Sequence, residues 1–364
     1  MMAGEKNRTL RRGWSTGACA AAAARAAYAA LLTGDFPDPV SIALPGGLEP
    51  RFPLAVKERG AATARAGIVK DAGDDPDVTH GALVIAEVAE AEEGAGIAFR
   101  AGEGVGTITR LGLPLAVGEP AINPGPRALI GEALTAVAKA CGKPQADAIV
   151  TLSIPGGAAL AAKTLNARLG ILGGLSILGT TGVVIPYSCS AWIHSIHRGI
   201  DVARAAGAAH IAASTGTTSE KAVQRLLDLP EIALIDMGDF VGGTLKYLRR
   251  HPVPRLTLAG GFGKFAKLAQ GHLDLHSSRS RIDIGALARS LGALGAPAAL
   301  IARAAEAGGA GEVLDAVASD FARPLAASIA REARAVALST LAGGVAVDVA
   351  IFGRTGELLA HEGA

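Results

Sequence analysis

The sequence predicts two domains: an α+β domain over residues 1–145 with a mainly antiparallel sheet, and an α/β domain over residues 146–340 with a mainly parallel one. Length is the first reason. At 364 residues the chain exceeds the ~250–300 at which a single core stops growing. The second is a run of short β-like segments between residues 40 and 102, broken by glycine and proline. The third is a change of rhythm after residue 145, where apolar strands alternate with helices in the pattern of βαβ units.

The elements follow in order. After a basic start, expected to fray, Ser15 or Thr16 offers a side-chain oxygen to cap a helix reaching about Leu32, and Gly34 closes it. VSIALP, RFPLAV, ATARAGIVK, ALVIAEVA and GIAFRAG read as strands. A second helix runs from Pro126 to Cys141 and stops at Gly142. ADAIVTLSIP, a strand, opens the alternating half, followed by the helix SAWIHSIHRGIDVARAAG. Then come strand AAHIAAST, helix TSEKAVQRLLDL, strand EIALIDM, helix DFVGGTLKYLRRH, strand RLTLAGG and helix KFAKLAQG. Beyond residue 285 the helices are alanine-rich, and GVAVDVAIFGRTGELLAHE reads as a hairpin, within residues 343–362, that could join either sheet.

Composition narrows the function. Half the residues are hydrophobic but only 4% are aromatic, so alanine and glycine carry the core by close backbone approach. With 35 basic against 33 acidic residues there is no field favouring nucleic acid, and scarce aromatics argue against base-stacking platforms. Cys19, Cys141 and Cys189 stand far apart, which suits a reduced protein and neither a disulfide framework nor a zinc site. The alanine-rich stretch after Arg11 and Arg12 superficially resembles a signal peptide, but Arg25 interrupts it. No stretch reaches the ~18 apolar residues of a membrane span. The expectation is a cytoplasmic protein without membrane or nucleic-acid partner, whose alanine-rich helices suit burial against a copy in a homo-oligomer.

Ligands of an open parallel sheet bind beyond the carboxyl ends of its strands. There the sequence places Ser214-Thr215-Gly216-Thr217, then Asp239 in MGDF, then Gly260-Gly261-Phe262-Gly263-Lys264. Each is a small or hydroxylated turn opening a helix and reads alone as a plain helix cap, but three on one rim point to a site whose N–H groups are free for a carboxylate or hydroxyl. GGFGK fails as a phosphate loop, because Leu258 and Phe265 replace its first glycine and its hydroxyl residue. ILGGLSILGTTGVV, which contains Thr180 and Thr181, lacks the dinucleotide spacing and reads either as a buried crossover or as a wall along a flat ligand. Gly102, Gly104 and Gly106, around Glu103, let backbone approach something closely. VKDAGDDPDVTHG gathers Asp71, Asp74, Asp75, Asp77 and His80; it fails as a calcium loop and reads as a solvated turn, a proton-handling site or a set of pocket-shaping carboxylates.

Taken together these strings resemble one family. RRGWSTGACAAAAARAA, VKDAGDDPDVTHGA, GEGVGTITRLGLPLAVGEPAINPGPR, TLNARLGILGGLSILGTTG and GKFAKLAQGHLDLHSS, in that order, are similar to the CbiD family of cobalt-precorrin-5B C(1)-methyltransferases. The likeness runs from about Leu10 to the hairpin. Trp14, Ser15 and Ala18 depart from the family's Tyr, Thr and Thr, and the helix bearing Cys189, Trp192, His194 and His197 resembles one branch only.

The resemblance implies a two-layer α+β first domain and a Rossmann-like, three-layer second one. It implies methyl transfer from S-adenosylmethionine to ring carbon 1 of a corrinoid small molecule, with cobalt arriving inside the substrate; the sequence itself shows no metal-ligand set. On that footing the cofactor is expected beside Ser214, Thr215, Gly216, Thr217, Asp239, Gly260, Gly261, Gly263 and Lys264. Ser15, Thr16 and Gly17, with Gly102, Glu103, Gly104 and Gly106 and with Thr180 and Thr181, are expected to hold the tetrapyrrole. His80 with Asp75 or Asp77 is expected to adjust a proton on the reacting carbon. The competing readings are a tetrapyrrole carrier or a nucleotide-dependent protein without methyl transfer.

Overall fold

The computed structural model describes residues 10–317 and 319–363; the basic start lies outside the described residues. It is a mixed α/β chain of two compact units, Met1–Ser188 and Cys189–Ala364. Among the described residues no helix is long and apolar enough to cross a membrane.

The first unit contains α1 (Thr16–Thr33), β1 (Val56–Arg59), β2 (Thr63–Val69), β3 (Leu83–Glu90), β4 (Ile97–Ala101), α2 (Pro124–Ala140) and β5 (Ala148–Ser153), with two-residue ladders between them. Ser15 caps α1 by accepting from the Ala18 N–H at 3.1 Å, and Gly34, at φ 95°, ends it. The run Ala20 to Ala24 is wholly buried, because α1 lies against α2, β2 and β3 at once. A helix enclosed on several sides needs short side chains. The sheet order is β1-β2-β3-β5-β4, antiparallel except for β4 with β5. Ala64, Ala66, Ile68, Val84, Ala86 and Val88 alternate onto the buried helix face. Arg65, on the opposite register, pairs with Glu58 at 2.7 Å and Glu87 at 3.5 Å on the solvated face.

One expectation is corrected here. The strand Ala148–Ser153 does not open the second sheet; it is internal to the first, between β3 and β4. With β4 and α2 it forms a βαβ crossover inside this unit, so the change of rhythm precedes the division of the chain, which falls after Ser188 and not near residue 145.

The second unit contains α3 (Cys189–Ala205), β6 (His210–Ser214), α4 (Thr217–Leu227), β7 (Leu234–Asp236), α5 (Val241–Arg250), β8 (Arg255–Gly261) and α6 (Phe262–Ala269). There follow α7 (Ile284–Ala293), α8 (Ala298–Ala305), α9 (Ala310–Ala316), α10 (Ser319–Leu341), β9 (Ala346–Phe352) and β10 (Leu358–Glu362). Glu231–Ala233 forms a 3₁₀ turn, which shortens the strand expected there. The sheet order is β7-β6-β8-β9-β10, parallel through β9, with the terminal hairpin adding β10 antiparallel at its edge.

Strand alternation sorts the core. Ile211, Ala213, Ile235, Leu256, Leu258, Val347 and Val349 join α3, α5, α6 and α10. Ala212, Leu234, Ala259, Ala350 and Phe352 join Ala222 and Val223 of α4. Helices thus cover both faces. The chain leaves β6 through α4 to reach β7 on one side. It then returns through α5, on the other face, to β8 on the opposite side of β6. The carboxyl ends of β6 and β8 therefore form a topological switch point, where such sheets leave a crevice.

Candidate ligand-binding site

Three strand ends meet around one lysine. Lys264, in the first turn of α6, donates from Nζ to the Thr215 carbonyl at 2.8 Å and pairs with Asp239 Oδ1 at 3.1 Å. Those partners follow β6 and β7, while α6 itself follows β8. Backbone bonds reinforce the junction: Thr215 N–H donates to the Ala259 carbonyl and Met237 N–H to the Ser214 carbonyl, both at 3.0 Å. The structure thus brings together Ser214, Thr215, Gly216, Thr217, Asp239, Gly260, Gly261, Gly263 and Lys264. The ammonium, however, is engaged by Asp239 and a carbonyl, so it braces the rim and adds little net charge to it.

What remains for an anion are backbone dipoles. Gly216 and Gly261 stand at the N-caps of α4 and α6, and neither helix has a side-chain cap. The first N–H groups of an α-helix have no partner within it, and its N-terminus carries partial positive charge. A Cβ placed on Gly216 or on Gly261 meets no atom within 4 Å, so both caps face open space. Gly260 differs: a Cβ there would lie 2.4 Å from Phe265 and 2.7 Å from Thr215 Oγ1, so that glycine serves packing. Beneath the turn Ser214 is fully buried, and its hydroxyl has no hydrogen-bond partner among the described residues.

The aspartate loop of the first unit is built differently. Asp71 takes a two-pronged bond from Arg11 and accepts from the Gly73 N–H at 2.9 Å; these donors hold its carboxyl down to about 2. Asp74 accepts from the Arg11 N–H at 2.7 Å, and Asp75 from the Tyr187 N–H at 2.8 Å. Asp77 binds buried Lys70 at 2.7 Å and both the N–H and hydroxyl of Thr79. Burial opposes ionisation of Asp77, but Lys70 and Thr79 outweigh it and hold the carboxyl below its ordinary value. The acids are therefore tied into the loop as its fasteners.

The pairing of His80 with Asp75 or Asp77 is not made. His80 Nδ1 accepts from the Ala72 N–H at 3.1 Å and lies 3.8 Å from Asp71 Oδ1. An accepting Nδ1 leaves the proton on Nε2 in the neutral ring. The sequence reading also missed Lys70. It continues the buried register of Ala64, Ala66 and Ile68, and that parity was the available signal.

Glycine loops expected to approach a ligand pack closely against the chain's own atoms. A Cβ on Gly104, at φ 71°, would fall 2.0 Å from the Ile154 carbonyl oxygen, and one on Gly102 2.1 Å from Ser153 Oγ. One on Gly106 would fall 2.6 Å from Ile171. Glu103 binds back through its carbonyl, which accepts from the Ile154 N–H at 2.8 Å. Ser15, Thr16 and Gly17 are buried as well, with Thr16 Oγ1 accepting from the Leu178 N–H at 3.0 Å and Gly17 N–H donating to the Leu178 carbonyl at 2.9 Å. They hold in place a segment whose Leu178, Thr180 and Thr181 are exposed. Cys19, in the same helix, is buried, which pushes its thiol up to about 12.

At its switch point the mainly parallel sheet thus presents two helix N-termini without side-chain caps. Comparisons with known proteins go further. A family model described as CbiD matches residues 3–186, and one described as CbiD, C-terminal domain, matches residues 274–363. The chain belongs to the CbiD family. Relatives named cobalt-precorrin-5B C(1)-methyltransferase include that of Paramagnetospirillum magneticum, 61% identical, with 96% of this chain and 97% of that one covered. That of Rhodospirillum rubrum is 56% identical, with 99% of each chain covered. A crystal structure of a cobalamin biosynthesis protein (cbiD) from Archaeoglobus fulgidus is similar at 28% identity and a TM-score of 0.40, covering 74% of this chain and 83% of that one.

Proposed function

We propose that this chain is a methyltransferase that moves a methyl group from S-adenosylmethionine to ring carbon 1 of cobalt-precorrin-5B, giving cobalt-precorrin-6A in cobalamin biosynthesis in the cytoplasm. The observation that carries the reading is likeness over nearly the whole chain to relatives of that name, one of them 61% identical over 351 residues. In this reading the second unit is a Rossmann-like, three-layer donor domain. The first is a two-layer α+β domain that meets the macrocycle. Cobalt belongs to the substrate.

The rim of the second unit fits such a donor. N–H groups at the starts of α4 and α6 suit its carboxylate, and Asp239 suits ribose hydroxyls, which a carboxylate accepts from. In the first unit Thr180 and Thr181 are exposed and suit the acetate and propionate groups that border the pigment, although the Thr181 hydroxyl also donates to the Val183 carbonyl and accepts from the Val183 N–H, both at 3.3 Å. A sulfonium donor supplies an already activated methyl group. The chain's own part is to hold two reactants in line and keep water out, and alignment of this kind is worth about 7–11 kcal/mol in barrier. No nucleophilic triad is required. Of the loop residues expected to move a proton, His80 is the exposed one, and its Nε2 stands outside the loop's hydrogen bonds among the described residues. We assign any proton transfer at the reacting carbon to it.

Incubation with the cobalt corrinoid and methyl-labelled donor should give a product one labelled methyl heavier by mass spectrometry. A pigment that binds but gains no label would make the chain a carrier. His80→Ala should slow single-turnover transfer about a hundredfold, the lower end for general acid–base catalysis, with unchanged affinity for S-adenosylhomocysteine. An unaltered rate would confine the loop to shaping the fold.

A further inference from the structure

We infer that the indole of Trp192 is the surface on which the donor's adenine ring stacks, an inference that rests on the donor site proposed above. Trp192 lies in the first turn of α3 and continues that helix's apolar stripe, since Ile196, Ile200 and Ala203 follow it at helical spacing and are buried. A residue on that stripe should be covered, yet Trp192 is 48% exposed. The cause is its place along the helix. Because α3 leads into the start of β6, its own first turn stands at the opposite, carboxyl edge of the sheet.

The covered part of the ring rests on Gly238. A Cβ on Gly238 would lie 3.4 Å from Trp192 Nε1, 3.5 Å from Cε2 and 3.6 Å from Cζ2, ordinary contact distances that place the indole over the turn after β7. The next residue is Asp239, the partner of Lys264. The indole therefore sits one residue from the ion pair that joins the three strand ends. β7 and β6 are neighbours, and adjacent strands lie about 4.8 Å apart. A donor whose carboxylate sits between the starts of α4 and α6 therefore has the end of β7, and the ring upon it, within one or two strand spacings.

Three aromatic side chains farther along α3, on α5 and just after α5 are already used. His197 stacks on Tyr247 at 3.9 Å, Tyr247 stacks on His251 at 4.1 Å, and the Tyr247 hydroxyl donates to Asp201 at 2.6 Å. Trp192 has no ring partner among the described residues. A half-bare indole beside hydrogen-bonding groups matches the apolar wall of a small-molecule pocket. Purines are flat, and stacking a base on an aromatic side chain is sequence-tolerant and energetically substantial.

The chain has two tryptophans, so Trp14→Phe leaves Trp192 as the sole indole reporter. Titrating that variant with S-adenosylhomocysteine should quench Trp192 emission saturably. Adenosine should do the same, and homocysteine should not. Calorimetry should show Trp192→Ala weakening S-adenosylhomocysteine about tenfold or more, while Trp192→Phe stays within about threefold. Should S-adenosylhomocysteine bind with normal heat, leave the emission unchanged and bind the alanine variant equally well, the stacking role is wrong while the donor site stands. Failure of the unaltered chain to bind S-adenosylhomocysteine overturns the donor site and this inference with it. Quenching by the corrinoid but not by adenosine overturns the inference alone, by giving the ring to the macrocycle.

Discussion

Asp77→Ala should lower unfolding stability by about 3–5 kcal/mol, the range seen when one partner of a buried ion pair is removed. Lys70 is 1% exposed, so without Asp77 its ammonium is left in the core with no counter-charge. The donors from Thr79 lose their acceptor too. Lys70→Met combined with Asp77→Ala should recover much of the loss, because it removes the stranded charge. Denaturant titration reads both. The same pair shapes the acid limb of stability. Asp77 and Asp71 both ionise below their ordinary range, Asp71 at about 2. A carboxyl held lower when folded than unfolded stabilises fully above the unfolded value of about 3.9 and loses that contribution as pH falls through the folded value. Stability should therefore fall between about pH 4 and pH 2, less steeply in Asp77→Asn. An Asp77→Ala chain with an unchanged midpoint and acid limb would show that the pair does not hold the loop.

What the sequence disclosed, and what it hid, follows from how local each determinant is. The helix from Ser15 to Gly34 could be read because its cap and stop lie within its own residues. RLTLAGG was legible as a strand for the same reason, and Arg255–Gly261 is that strand. Partner choice is not local. AIVTLS carries an alternating pattern that fits either sheet, and only its pairing with Leu83–Glu90 and Ile97–Ala101 assigns it to the first. The hairpin of residues 343–362 was equally ambiguous until its pairing with β8 was seen. Among the candidate residues, the position of the rim turns was legible because the carboxyl ends of parallel strands are predictable places. Glycine spacing, in contrast, shows close approach without showing to what. At Gly104 the answer is the Ile154 carbonyl, supplied by residues fifty positions away. Lys70 was hidden by its type, since an isolated lysine reads as solvated until its register and Asp77 are considered together.

Gly261→Val should reduce S-adenosylhomocysteine affinity and kcat/KM at least a hundredfold while the fold stays intact. Valine is allowed there on backbone grounds, because Gly261 has φ −76° and ψ 153°, an ordinary extended conformation. It is allowed on packing grounds, because the new side chain points into open space. Valine at an N-cap in place of glycine costs only a modest amount of helix stability, so the melting temperature should move by a few degrees at most. What valine does alter is access: its methyl groups stand over the N–H groups that begin α6. The neighbouring glycine separates site from packing. Gly260→Val drives atoms into Phe265 and Thr215, so it should lose stability and binding together. If Gly261→Val binds S-adenosylhomocysteine as tightly as the unaltered chain, the N–H groups above β8 hold no donor. Gly216→Val then tests the start of α4 in the same way, since that cap also faces open space, and normal binding in both variants would remove the donor from this rim altogether.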